Sequence, residues 1–173
     1  MNEHDLITAC VKGNIVAQRQ LYDLYAAKML GVCLRYAGTR EAAMDLLHDG
    51  FIRVFKKIKT YRGKGSFEGW MRKLFVNAAL EYLRKKDVLK DHEDYPAAIP
   101  ATDYAVFEKM SANDLMEKIA ALPDGYRAVF NLYAIEGYSH REIAGLLHIS
   151  ESASRSQYAR ARHCLQKMIK EMI

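Results

Sequence analysis

An all-α fold, built as two small helical domains joined by a flexible linker with a helix-turn-helix in the second, is predicted by three observations. No alternating apolar–polar strand pattern occurs anywhere in the 173 residues. Glycine and proline are few, ten and three, and four of the places they mark read as breaks: Gly13, Gly38, the Gly63–Gly65–Gly69 stretch and the zone from Pro96 to Pro123. Helices of ordinary length fit between these breaks. Finally, residues 87–104, DVLKDHEDYPAAIPATDY, are acidic, proline-bearing and without period. A structureless stretch that long is uncommon inside one compact domain, so it reads as a linker.

The first helix is expected over residues 4–12, with Leu6, Ile7, Cys10 and Val11 on one face. Asn14 is suited to cap a longer helix, in which Val16, Leu21, Leu24, Tyr25, Met29, Val32 and Leu34 are candidates for burial. Thr39 can cap a third, with Glu41 in its first turn, where an acid complements the helix dipole. Leu47, Phe51, Val54, Phe55 and Ile58 give that helix its apolar period. Its other side carries Asp45, His48 and Asp49, for which a solvated face is by itself a sufficient explanation.

The stretch KTYRGKGSFEGW, residues 59–70, mixes cations, glycines and aromatics. Gly63 and Gly65 let the backbone turn and approach a ligand closely. Lys59, Arg62 and Lys64 can meet phosphates, while Tyr61 and Trp70 can stack on bases, as on a single-strand platform. Phe67 fits a core plug better. A fourth helix follows, with Phe67, Trp70, Met71, Leu74, Phe75, Ala78, Ala79, Tyr82 and Leu83 at three- and four-residue steps. It ends in Arg84-Lys85-Lys86, cations that suit a helix C-terminus. From Arg53 to Lys90 twelve Lys/Arg face three acids, a local balance of +9 in a chain whose total is +5. Charge segregated in this way suggests a nucleic-acid face.

Beyond the linker a helix is expected to restart near Phe107 and run through Leu115, Ile119 and Leu122, and Pro123 fits the first turn of the next. Val129, Phe130, Leu132 and Tyr133 continue that helix and Gly137 ends it. Ser139 followed by Glu142 has capping-box spacing, and Ile143, Ala144, Leu146 and Leu147 supply a short apolar face. Ile149 and Ser150 interrupt it, and Ser150 can cap a second helix carrying Ser154, Tyr158, Ala161, Leu165, Met168, Ile169 and Met172 on its inner side. Short helix, tight turn and longer helix make a helix-turn-helix. Ser152, Ser156 and Arg160 lie on the outer face, flanked by Arg155 and Gln157, and such groups pair with phosphates and base edges.

Composition excludes several classes. Half the residues are hydrophobic, which supports a core, and the pI of about 9.0 favours an anionic partner. No apolar run reaches membrane-span length, and MNEHDLITACVKG lacks the apolar core of a signal peptide, so a cytoplasmic location is expected. Cys10, Cys33 and Cys164 are distant and odd in number, which points to free thiols. CxxC, HExxH and GxxxxGK[ST] are all absent, so neither a metal nor a cofactor is expected, and no nucleophile–base pair suggests an enzyme.

Two segments together resemble the extracytoplasmic-function sigma factors of bacteria, in the sigma-70 family. DLLHDGFIRVFKKIKTYRGKGSFEGWMRKLFVNAALEYLRKK is similar to the family's first domain, and LPDGYRAVFNLYAIEGYSHREIAGLLHISESASRSQYARAR to its second. The resemblance implies a dissociable, non-catalytic subunit of RNA polymerase, with a region 2-like domain at 1–86, a linker at 87–106 and a region 4-like domain at 107–173. It places Asp45, Leu46, His48, Asp49 and Phe51 where core polymerase docks. It places Tyr61, Arg62, Lys64, Ser66, Trp70, Asn77, Arg84 and Lys85 on the melted minus-ten element. It places Arg155, Ser156 and Arg160 on the minus-thirty-five element, with Ser139, Arg141 and Arg162 on phosphates. The implied partners are bacterial core RNA polymerase, promoter DNA and an anti-sigma protein, often membrane-anchored in the family, with no small-molecule substrate.

The chain departs from the family in places. His48 and Asp49 stand for the usual glutamine and glutamate, and Ser152-Ala153-Ser154 for G-T-V, which puts a hydroxyl on the inward side at Ser154. Gln157 and Tyr158 replace a common arginine and leucine. The S-x-S-x-S-Q run resembles sigma factors of the Bacteroidetes type. The alternative from the residues alone is a stand-alone helix-turn-helix regulator, which leaves the glycine–aromatic loop unexplained. A purely structural helical adaptor would require neither the charge segregation nor the polar outer face.

Overall fold

The computed structural model of the chain describes residues 1–86 and 110–172. The expected linker over 87–106 and the expected helix restart at Phe107 lie outside the described residues. Every regular element among the described residues is helical, in keeping with the predicted class. In order, these are α1 (Glu3–Val11), α2 (Ile15–Ala37), α3 (Arg40–Lys57) with a 3-10 turn at Ile58–Thr60, α4 (Phe67–Lys85), α5 (Ala112–Ala120), α6 (Asp124–Phe130), a π-helical segment Asn131–Ile135, α7 (His140–Leu147) and α8 (Glu151–Lys170). None of these helices is long and apolar enough to cross a membrane.

The chain divides into two compact units. The first holds Met1–Leu34 and Thr39–Ala79; the second holds the corner Arg35–Gly38 and Leu80–Ile173.

In the first unit, side-chain caps fix where the helices begin. Asn14 Oδ1 accepts from the Ala17 amide at 3.0 Å, and Thr39 Oγ1 from the Ala42 amide at 3.2 Å. Each satisfies a backbone donor that the first helical turn leaves open. The buried stripe of α2 within this unit is Ala17, Leu21, Tyr25, Met29, Val32 and Cys33. Val16 and Leu24, expected inside, are 67% and 59% exposed. They are apolar but stand one position off the stripe, so helical geometry turns them outward. Leu34 is only half-buried. The core is aromatic: Phe51 meets Tyr22 at 4.6 Å and Phe75 edge-on at 5.3 Å, while Phe67 meets Tyr25 at 5.9 Å. These centroid spacings and tilts are those that ring quadrupoles favour. Gly50 lets α3 and α4 approach, since a Cβ there would lie 2.6 Å from Phe75 Cζ.

In the second unit, α5 begins at Ala112, because Ser111 is extended and its Oγ accepts from the Asp114 amide at 3.2 Å. The expected run through Leu115 and Ile119 therefore starts at this cap, and Leu122 lies past the helix end. Pro123 is the N-cap of α6 rather than part of its first turn. α8 packs on α6 and α7 over a core of Ile119, Leu122, Phe130, Ala161 and Leu165. Met172, expected on the inner side, is exposed beyond the end of α8.

Buried polar groups in this unit are tied to neighbours. Arg127 is 3% exposed and bonded to Asp124 in its own helix, with Nη1 to Oδ1 at 2.9 Å. Burial pulls its pKa down, and the Asp124 charge opposes that shift. Asn131 Nδ2 donates to the carbonyls of Arg127 at 2.9 Å and Arg35 at 2.8 Å. Arg35 is paired with Glu136 at 3.3 Å.

Candidate nucleic-acid interface

Three surfaces carry the expected functional residues. On α3, Asp45, His48 and Asp49 are exposed at three- and four-residue steps and form one polar face. Leu46 and Phe51, expected on the same docking surface, are both 3% exposed and belong to the core. They hold the acidic face in position from behind and present nothing to a partner themselves.

The second surface is the loop from Tyr61 to Ser66. Gly63 and Gly65 have φ of 71° and 78°, a left-handed backbone that favours glycine. The Tyr61 hydroxyl donates to the Gly65 carbonyl at 2.7 Å and closes the loop on itself. Phe67 is fully buried, the core plug expected of it. Trp70 stacks on Phe67 at 5.4 Å, and Tyr61 meets both rings, at 5.1 Å and 5.6 Å. Tyr61 and Trp70 are half-buried, so each keeps some ring surface at the protein boundary. Arg62, Lys64 and Ser66 are exposed around them. The Ser66 hydroxyl also accepts from the Gly69 amide at 3.0 Å, so it caps α4. Asn77 is exposed two turns beyond Trp70, on the same side of α4. Taken together these groups can stack on unpaired bases and neutralise their phosphates.

Lys85 is exposed, whereas Arg84 is engaged within the second unit. Its Nη1 donates to the Leu146 carbonyl at 2.8 Å, which satisfies an otherwise open acceptor at the end of α7. Arg84 therefore does not stand with Arg62 and Lys64 as an open phosphate ligand.

The third surface is the helix-turn-helix. The capping box at the start of α7 is complete: the Glu142 amide donates to Ser139 Oγ at 3.2 Å, and the Ser139 amide to Glu142 Oε2 at 2.8 Å. That second bond, with the Ser139 side chain, holds the Glu142 carboxyl below its ordinary pKa. The turn passes through His148 in the left-handed conformation, with φ 56° and ψ 42°. Such a residue costs roughly 1–2 kcal/mol when it is not glycine. Ser150 Oγ then accepts from the Ala153 amide at 3.0 Å and starts α8.

The inward hydroxyl at Ser154 has a partner. Ser154 is fully buried, and its Oγ lies 2.9 Å from His140 Nδ1. The His140 ring stacks on Tyr133 at 4.3 Å and 9°, and Tyr158 completes the cluster at 4.5 Å from Tyr133. Burial, then the Arg155 charge, lower the His140 pKa, with Glu151 opposing. A depressed folded value favours the neutral ring. The resulting stability is present above the ordinary value of 6.5 and is lost as pH falls toward the folded value. An NMR titration of His140 is expected to give a midpoint below 6.5; a midpoint above 6.5 would contradict this packing.

Arg155 and Ser139 are exposed, as is Arg141, while Ser156, Arg160 and Arg162 are half-buried. Arg162 also lies over the Tyr158 ring at 5.6 Å, a cation–π contact. Gln157, expected at the flank of the outer face, is 4% exposed and faces inward. The buried steps Ser154, Gln157, Ala161 and Leu165 follow the helical period, a register that its amide chemistry obscured in the sequence. The Glu151–Arg155 ion pair is a feature that the sequence reading missed, although the four-residue spacing of acid and base was its signal.

Among the described residues, no group of three His, Cys, Asp or Glu could hold a metal ion.

Comparison with known proteins agrees with this anatomy. The family described as Sigma-70 region 2 matches residues 21–88, and that described as Sigma-70, region 4 matches 112–165. The ECF RNA polymerase sigma factor SigE of Mycolicibacterium smegmatis is 29% identical over 85% of this chain, which spans 59% of that protein's length. SigW of Bacillus subtilis is 26% identical over 93% of both chains. The ECF RNA polymerase sigma-E factor of Haemophilus influenzae is 25% identical over all of this chain and 98% of its own. A solved structure of the sigma factor RpoE of Bartonella quintana in complex with the anti-sigma factor NepR shares the fold, at 18% identity and a TM-score of 0.51, over 88% of this chain and 96% of that one. With both characteristic regions present in order in one short chain, the protein belongs to the sigma-70 family, among its extracytoplasmic-function RNA polymerase sigma factors.

Proposed function

We propose that this chain is the dissociable initiation subunit that core RNA polymerase uses to find and open a particular set of promoters. The observation that carries the reading is the presence in one chain of a basic glycine–aromatic loop and a helix-turn-helix. One suits unpaired bases and the other suits duplex DNA. Residues 1–86 bind polymerase and the minus-ten element, and residues 107–173 the minus-thirty-five element. Asp45, His48 and Asp49 dock on a basic surface of the polymerase. Tyr61 and Trp70 stack on unpaired bases while Arg62, Lys64, Ser66, Asn77 and Lys85 hold the strand. Arg155, Ser156 and Arg160 read the duplex, with Ser139, Arg141 and Arg162 on phosphates.

Unstacking costs a few kcal/mol per base step, which stacking and phosphate contacts can offset. The chain contributes binding energy and specificity, and bond-making is left to the polymerase. Its working location is then the cytoplasm. The Bartonella relative was crystallised with an anti-sigma factor, and an inhibitor of that kind is a further proposed partner here.

Permanganate footprinting tests the reading. Unpaired thymines should appear upstream of a start site only when this protein, core polymerase and promoter are combined. Protection of duplex DNA by the protein alone, with no opening when polymerase is added, would favour a stand-alone helix-turn-helix regulator.

A further inference from the structure

We infer that Glu151 is a specificity-determining residue, which holds the Arg155 guanidinium so that it reads one guanine in the duplex element facing α8. The inference rests on the proposed role of α8 and adds a residue to it. Glu151 is the first residue of α8 and Arg155 stands one turn later on the same side. Arg155 Nη1 donates to Glu151 Oε1 at 2.6 Å, with the two side chains 58% and 47% exposed. The pair therefore sits at the N-terminal turn of the second helix of the helix-turn-helix, the part that meets base edges in such folds.

A carboxylate at that place is unfavourable for general DNA affinity, because phosphates repel it equally on every sequence. What it supplies is discrimination. The guanidinium carries five N–H donors in a planar fork, and the bond to Glu151 occupies one of them. Donors remain for guanine O6 and N7, the two acceptors that a fork matches in the major groove. The carboxylate also competes with phosphates for Arg155, so a sequence lacking guanine gains little from a non-specific contact. Part of the rotamer freedom that an unrestrained arginine would lose on docking is already lost in the free protein.

The test uses full-length protein with core polymerase on promoters whose upstream element is randomised, with transcripts sequenced. Arg155→Ala should flatten the preference at one base pair. Glu151→Gln, which keeps the side-chain length, should lower the guanine preference at that same position about tenfold, the scale of one bidentate base contact. Other positions should keep their preferences, and the thermal midpoint should fall by no more than a few degrees, the scale expected for losing an exposed first-turn acid and its ion pair. In filter binding to non-promoter DNA, the salt dependence of Glu151→Gln should steepen by about one phosphate contact, because Arg155 is released. If Glu151→Gln changes all sequences by one common factor, or changes none while Arg155→Ala flattens the position, the inference fails alone. If Arg155→Ala leaves the profile intact, the assignment of α8 to base reading fails as well.

Discussion

Asp49→Arg is expected to reduce promoter-dependent transcription to about a tenth of wild type or less, because charge reversal at the proposed docking face costs several kcal/mol, and 1.4 kcal/mol is a factor of ten. Asp49 is exposed on α3 and its neighbours on that face are Asp45 and His48. No core contact depends on it, so thermal unfolding should be unchanged. The loss should appear as weaker association with core polymerase, and raising the protein concentration should recover part of it. Unchanged activity, with Asp45→Arg equally silent, would remove this face from the docking surface.

Gly50→Ala is expected to destabilise the first unit. The added Cβ would stand 2.6 Å from Phe75 Cζ and closer still to other atoms of that ring, which is 1% exposed and packed edge-on against Phe51. The ring cannot swing away without moving its neighbours. Overpacking of this kind costs about 1–3 kcal/mol, and the contact here belongs at the upper end. Alanine's better helix propensity returns at most about 1 kcal/mol. The thermal midpoint should fall by roughly 5–15 °C, given that each kcal/mol shifts a unit of this size by several degrees. Adding Phe75→Leu should recover part of the loss, because it removes the clashing edge. A raised midpoint for Gly50→Ala would mean that α3 and α4 are not held this close. The two substitutions are adjacent in sequence and opposite in kind, since one acts on the outer face of α3 and the other on its packing.

Several features were legible in the sequence because they are local. Asn14, Thr39, Ser139 and Ser150 all cap the helices expected of them. A cap needs only a short polar side chain and a backbone amide two or three residues on. The long apolar period of α4 was equally plain, and its buried set adds Val76 and Leu80 to the residues foreseen. What failed was inference from side-chain chemistry where register decides. Val16 and Leu24 are apolar and exposed, while Gln157 is polar and buried. The left-handed turn at His148 carried no signal, since glycine is the residue that usually marks such a position. The π-helical segment at Asn131–Ile135 was likewise silent, because Val129, Phe130, Leu132 and Tyr133 read as the continuation of an ordinary helix. At the candidate interfaces, residue types were legible but their engagements were not. Leu46 and Phe51 are spent in the core, Ser66 caps a helix, and Arg84 binds a carbonyl of α7.

The most direct test is transcription in vitro from a bacterial genomic library, with purified core RNA polymerase and with this protein present or withheld. The account predicts transcripts that begin at defined sites only when the protein is added, and that share two short upstream elements. Transcripts that are the same with and without the protein, using polymerase shown to be active with another sigma factor and to bind this chain, would contradict it.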